Sequence, residues 1–262
     1  LVIGAVIALI AVGGYFANSS KNPITGRTQH ISMSPQQEIA IGLQSAPEMA
    51  QQFGGLSQDQ QATALVKDVG RKLISRLPSE ATPYPFDFHL LADPKTVNAF
   101  ALPGGQIFIT EALFSRLETE GQLAGVLGHE AGHVLARHSA AQMAKSQLTQ
   151  GLVQAVGVAS SDTAAGAQSA AQIAQMVGGF INLKYGREDE IEADRLGLRF
   201  MRASGYDPRA MIRVMEILKQ ASGGSSQPEF MSTHPDPGNR IERIQAELEE
   251  LFPGDDFQGL QK

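Results

Sequence analysis

Two histidines four residues apart, with a glutamate beside the first, are the groups in this chain best suited to chemistry: His129-Glu130-Ala131-Gly132-His133. They sit in an apolar run, Leu123-Ala-Gly-Val-Leu-Gly before them and Val134-Leu-Ala after. On a helix, residues four apart share a face, so both imidazoles can reach one metal ion. Glu130 follows His129 directly, close enough to hold a metal-bound water without being a ligand. This is the pattern of a zinc peptidase, with two His ligands and the Glu as general base. Imidazoles and carboxylates on the core face of an apolar helix are costly unless paired or metal-bound. That cost weighs against the rival reading, a half-buried helix with two satisfied histidines.

A hydrolytic zinc needs three protein ligands and one position left for water. The metzincin extension would require Gly at 136 and His at 139, where the chain has Ala136 and Ser139, so that class is excluded. His138, five residues past His133, is expected to turn away from the ligand face and to sit at the surface or at a helix C-terminus. A better third ligand lies in Arg187-Glu188-Asp189-Glu190-Ile191-Glu192-Ala193-Asp194, where five acidic residues crowd together. Glu190 and Asp194 are four apart and point the same way on a helix. Glu190 can then ligate, while Asp194 accepts the second N–H of a ligating imidazole. Glu188 and Glu192 are expected to face solvent. Spacing alone leaves the alternative standing: an acidic cluster is also common at a helix N-terminus.

These residues need a scaffold, and 262 residues with 42% hydrophobic content suffice for one sizeable domain. A net charge of −6 with no dense Lys/Arg run argues against nucleic acid as a partner. The chain has no Cys, which excludes a disulfide framework and a thiolate metal site, and lipid attachment through an N-terminal Cys is not expected. Any metal must be held by His and carboxylates, which suit zinc.

Residues 1–17 (LVIGAVIALIAVGGYFA) form an uncharged apolar run, expected to be a membrane anchor or an export signal. Tyr15-Phe16 suits the interfacial end of an uncleaved anchor, and Ala17-Asn18-Ser19 would permit cleavage. Residues 18–33 read as a polar tether and 34–252 as the catalytic domain, with 253–262 a short tail. Ser34-Pro35 opens a helix that runs to Phe53, and a second is expected from Ser57 to Leu77. Strand signals cover 86–90, 98–101 and 106–110, the last two flanking the turn Pro103-Gly104-Gly105. The motif helix is expected over 118–138. Further helices are expected at 140–155, 167–183, 188–203, 208–221 and 239–251, with 157–166 a loop and possible lid, and Gly223–Ser226 a loop. The predicted class is α+β, mostly helical, with a small three-stranded sheet beside the motif helix.

Taken together, several stretches resemble one family: Asn98-Ala-Phe-Ala-Leu-Pro-Gly-Gly-Gln-Ile, Leu127-Gly-His-Glu-Ala-Gly-His-Val, Ala136-Arg-His-Ser, Arg187-x-x-Glu190-x-x-Ala-Asp194 and Ser232-Thr-His-Pro-x-Pro. The sequence is similar to the zinc metallopeptidases (HExxH gluzincins) that include HtpX, the periplasmic BepA-like proteases and the CAAX prenyl-protein endopeptidases. The likeness covers most of residues 34–252 and implies a zincin-type domain holding one zinc. It also implies that Glu190 is the third ligand and that Asp194 supports the site through His129. His234 would stabilise the tetrahedral intermediate, or occupy the fourth metal position at rest. Arg240 would either bind an oxyanion or pair with a carboxylate. Asn98, Ala99, Phe100 and Ala101 would form the edge strand that pairs with substrate backbone.

The implied activity is that of a metalloendopeptidase: amide hydrolysis in which the metal activates water and polarises the carbonyl while Glu130 moves the proton. CAAX endopeptidases span the membrane many times and this chain has one apolar segment, which disfavours a prenyl-protein substrate. The expected setting is the bacterial envelope, exported and periplasm-facing, with unfolded or misassembled proteins as substrates in quality control. Two rivals remain: a zinc-containing holdase or assembly factor with a closed site, and a metal-free helical scaffold.

Overall fold

The computed structural model describes residues 2–77, 83–160, 184–222, 228–235 and 239–262. Ser34 caps the second helix: its hydroxyl accepts from the Gln37 N–H while the Gln37 side chain accepts from the Ser34 N–H, and Pro35 takes the first helical position. Helix α1 is Val2–Ala17, α2 is Pro35–Gln52 and α3 is Gln60–Ile74. Strand β1 is Ser19–Lys21 and β2 is Thr28–His30. Beyond α3 come β3 (Asp87–Leu91), β4 (Ala99–Leu102) and β5 (Gln106–Thr110). Helices α4 (Glu111–Phe114), α5 (Glu120–Leu135) and α6 (His138–Ser160) follow. The chain ends with α7 (Arg187–Ala203), α8 (Ala210–Ala221), α9 (Glu229–Thr233) and α10 (Arg240–Leu251). The expected helix over 167–183 and the loop at 223–226 lie outside the described residues, as does most of the loop expected over 157–166; its first residues belong to α6.

The three-stranded sheet has the order β3-β5-β4, β3 parallel and β4 antiparallel to β5. Phe88 pairs with Ile107, and Phe100 lies opposite Phe108 with the rings stacked at 5.0 Å. β4 is therefore an edge strand of this sheet. The strand signals were off by one residue at β3 and β4, because the apolar side chains mark the strand while backbone pairing sets its ends.

Helix α5 is the centre of the molecule. Thr119 caps it, and every residue from Gly121 to Leu135 is buried. It packs most extensively on α7, and also on α3, α8, β4 and β5. This explains its lack of an amphipathic stripe: a helix covered on all sides has no polar face to show. The fold is thus α+β and mostly helical, with a small sheet beside the motif helix, as expected.

Two expectations need revision. The motif helix does not continue to His138: Arg137 adopts a left-handed backbone (φ 57°) that ends α5 and starts α6 in a new direction. The stretch 18–33, expected as a tether, holds an antiparallel β1–β2 hairpin docked on the end of α5. Asn22 Nδ2 donates to the Leu135 carbonyl (2.9 Å) and Gln29 Nε2 to that of Ala136 (2.5 Å), satisfying C-terminal carbonyls that α5 cannot satisfy itself. The tail is also docked, with the Gln261 N–H donating to the Gly205 carbonyl and the Asp207 N–H to the Gln261 carbonyl. Helix α1 packs along α6 and exposes Val2, Ile3, Leu9, Ile10 and Phe16. Among the described residues, no helix is long and apolar enough to cross a membrane.

Candidate metal centre

Helix α5 presents His129 and His133 one turn apart toward α7, and α7 presents Glu190 and Asp194 back. The four side chains are buried. The end of α9 adds His234, also buried, so five residues singled out in the sequence meet in one place. Among the described residues, one group could hold a metal ion: His129, His133, Glu190 and His234, whose ligand atoms all lie within 4.8 Å of one another.

The individual separations are narrower than that bound. His129 Nε2 is 3.0 Å from His133 Nε2 and 3.3 Å from His234 Nδ1. Glu190 places Oε2 at 3.5 Å from His129 Nε2 and Oε1 at 3.4 Å from His133 Nε2 and 3.1 Å from His234 Nδ1. Four N/O donors bound tetrahedrally at about 2.0–2.1 Å would stand roughly 3.3–3.4 Å apart. The donor set and its spacing fit a small tetrahedral cation.

Each group's protonation follows from its neighbours. Burial lowers His133 well below the usual imidazole range, which keeps it neutral and able to donate a lone pair. Burial alone would raise Glu190, but His234 and His133 more than offset it and hold the carboxyl far below its usual range. Asp194 is likewise pushed up by burial and pulled further down by Arg240 and His129. His129 Nδ1 meets Asp194 Oδ1 at 2.9 Å, which orients the ring with Nε2 toward the cluster.

Arg240 resolves to a carboxylate partner. Its Nε donates to Asp194 Oδ2 (2.8 Å), its Nη2 to Asp194 Oδ1 (2.7 Å), and its Nη1 lies 3.2 Å from Glu190 Oε2. Of the two alternatives read from sequence, pairing with acidic groups is the one this geometry carries.

Glu130 points at the same space without joining the ligand set, with Oε1 at 3.6 Å from His234 Nε2. It is fully buried, and neither carboxylate oxygen has a hydrogen-bond partner among the described residues. Such a group is costly unless something else completes it. Burial raises its carboxyl above the usual range, with Glu190 adding to the rise and His234 and His129 opposing it. A buried carboxylate of raised basicity beside a cation site is suited to take a proton from water.

The β4 edge borders this centre. A cleft beside it is lined by Met49, Phe53, Asn98, Phe100, Tyr185 and His234. Asn98 is buried, and its Oδ1 has no hydrogen-bond partner among the described residues.

The sequence reading missed some neighbours and misplaced others. His138 is buried, not at the surface, because the left-handed turn at Arg137 swings it back beneath His133. Glu192, expected to face solvent, is largely covered and meets His138 Nε2 at 3.0 Å. Tyr185 stacks on His133 (3.9 Å) and Phe230 on His234 (4.4 Å), apolar walls that no spacing rule marks.

The comparisons with known proteins agree with this geometry. A model of peptidase family M48 matches residues 60–248. The beta-barrel assembly-enhancing protease of Escherichia coli is 31% identical over 264 residues, which cover 96% of this chain and 53% of that protein. The mitochondrial metalloendopeptidase OMA1 of Schizosaccharomyces pombe is 32% identical over 249 residues, covering 93% of this chain and 71% of the other. The OMA1 of Saccharomyces cerevisiae is 28% identical over 247 residues, with 88% and 69% covered. The chain spans about half the length of the bacterial relative. The family match runs through α5, α7 and His234 alike, and with these relatives it means that the chain belongs to peptidase family M48.

Proposed function

We propose that this chain is a zinc-dependent endopeptidase that cuts unfolded or misassembled proteins in the cell envelope. The observation that carries the reading is the convergence of His129, His133 and Glu190 around one point, with the Glu130 carboxylate, which has no hydrogen-bond partner among the described residues, beside it. Those three residues would hold the zinc, and Asp194 and Arg240 would fix the orientation of His129 and Glu190. When bound, zinc supplies a Lewis acid that makes water a nucleophile near neutral pH and polarises the scissile carbonyl. Glu130 takes the proton of the attacking water and returns it to the leaving amine. An extended substrate adds along Asn98 to Ala101, on the edge of β4 that pairs with no strand among the described residues, through main-chain hydrogen bonds. His234, whose Nε2 faces Glu130, is the candidate to stabilise the oxyanion. The names of the relatives, a protease of β-barrel assembly and a mitochondrial endopeptidase, support a role in quality control.

The exposed apolar side chains of α1 support a membrane-facing segment, with the chain exported and held at the periplasmic side. Recovery of the protein in the cytosolic fraction would refute that placement. The net charge of −6 weighs against nucleic acid as the main partner.

The test of the activity is Glu130→Gln. Zinc content should stay near one per chain while peptide hydrolysis falls by at least about a hundredfold; a fully active variant sinks the assignment.

One observation favours a second reading, a closed site in a holdase or assembly factor. His234 Nδ1 lies within 3.3 Å of both His129 Nε2 and Glu190 Oε1, so it can act as a fourth ligand and shut out water. If the site rests closed, His234→Ala raises hydrolysis of an unfolded protein. If His234 serves the oxyanion, the same change lowers it by about ten- to a thousandfold.

A further inference from the structure

The metal reading leaves His138 without a part, and its contacts supply one. His133 turns Nε2 toward the cluster and Nδ1 toward His138, whose Nδ1 is 2.9 Å away. His138 Nε2 then meets Glu192 Oε2 at 3.0 Å, with Asp189 Oδ1 at 3.7 Å. Arg27, from the hairpin connection between β1 and β2, closes the series with Nη1 at 3.1 Å from Glu192 Oε2 and 4.0 Å from Asp189 Oδ1. Both imidazoles are buried, so water does not compete for these atoms.

The directions of these hydrogen bonds are fixed by chemistry. A His133 that gives its Nε2 lone pair to a cation carries its proton on Nδ1, so Nδ1 donates and His138 Nδ1 accepts. His138 then carries its own proton on Nε2 and donates it to the Glu192 carboxylate. Each link permits the next. His129 has a carboxylate directly behind its Nδ1, Asp194, whereas among the described residues the Nδ1 of His133 is linked to one through a second imidazole. Orientation of a ligating His by such a partner commonly sets metal affinity.

We propose that His138 is a positioning residue for His133, and that Glu192, held by Arg27 of the N-terminal hairpin, anchors it. The inference rests on the reading of His129, His133 and Glu190 as a metal site. Its consequence is that the docked hairpin, distant from the motif in sequence, contributes to metal binding without touching the metal.

The experiment is zinc affinity of the full chain, measured by competition with a chromophoric chelator. His138→Leu removes the acceptor at similar volume and should weaken zinc binding by about ten- to a hundredfold. His138→Asn returns an acceptor oxygen close to the Nδ1 position and should recover most of that loss. Equal losses in the two variants would mean that His138 only fills space, and an unchanged affinity in the Leu variant would also overturn the proposal. If the Leu variant does not fold, Glu192→Ala against Glu192→Gln makes the same comparison from the other end: Gln keeps an acceptor and should bind zinc more tightly, and equal affinities overturn the relay. His133→Ala separates the two levels. If it binds zinc as tightly as the unaltered chain, the metal site itself is misassigned and the relay falls with it; if it loses zinc while all the His138 and Glu192 variants keep it, the relay alone is wrong.

Discussion

Gly132 and Ala193 touch backbone to side-chain position: a Cβ built on Gly132 would stand 2.8 Å from the Ala193 carbonyl oxygen and 3.1 Å from its Cα. One turn earlier the same approach recurs, where a Cβ on Gly128 would meet the Gly197 Cα at 3.4 Å. Glycines on both helices let α5 and α7 lie close enough for His129 to reach Asp194 and for His133 to reach Glu190. The small residue within the His-Glu-x-x-His motif is therefore part of how these four side chains converge.

Gly132→Ala tests this, and the sign of its effect is informative. Alanine is the better helix former by about 1 kcal/mol, so an isolated helix would gain stability. Here the methyl group must push two buried helices apart, at an overpacking cost of about 1–3 kcal/mol. Urea unfolding should show a net loss, and zinc affinity should fall with it. A variant more stable than the original chain would show that the contact is slack.

What the sequence made legible was local. His129 and His133 share a turn, as do Glu190 and Asp194, and a spacing of four is visible in any helix. The edge position of Asn98 to Ala101 followed from the family likeness rather than from spacing, because nothing in a single strand states which neighbour it lacks. What was hidden depended on one backbone angle or on distant partners. Treating 118–138 as one helix put His138 on the wrong side, and the left-handed Arg137 reverses that result. The docking of Asn22 and Gln29 on α5 joins groups more than a hundred residues apart, which no periodicity reports. Spacing offers Arg240 two roles because its partner, Asp194, lies on another helix.

The Arg240–Asp194 pair makes the second case. Both groups are buried, joined by two hydrogen bonds of 2.8 Å and 2.7 Å. Arg240→Met would leave two buried carboxylates, Asp194 and Glu190, facing each other's charge with less compensation. Removal of one partner of such a pair costs about 3–5 kcal/mol. Adding Asp194→Asn should restore part of that loss, because the second change removes a stranded charge. Calorimetry on the two single variants and the double variant checks it. Strict additivity would mean that the pair is not coupled in the folded chain.

Glu38 gives a prediction about pH. It is buried on α2, accepts a hydrogen bond from the Tyr84 hydroxyl, and accepts from Arg137 Nε at 3.1 Å and 3.3 Å. Burial raises its carboxyl above the usual range, and Tyr84 and Arg137 offset only part of that rise. A carboxyl with a raised folded-state pKa holds its proton more tightly in the native chain than in the unfolded one. Its contribution to stability is therefore fully present below the unfolded value and is lost as pH rises through the folded one. Glu38→Gln is neutral at every pH and lacks this slope. Between pH 4.5 and pH 7, the unaltered chain should lose stability relative to the variant, measured by paired urea titrations in the same metal state. A relative gain confined to pH below 4.5, with no change from there to pH 7, would mean that Arg137 outweighs burial. The left-handed turn that aims His138 at His133 would then be held by a net favourable ion pair, rather than by one that burial keeps costly.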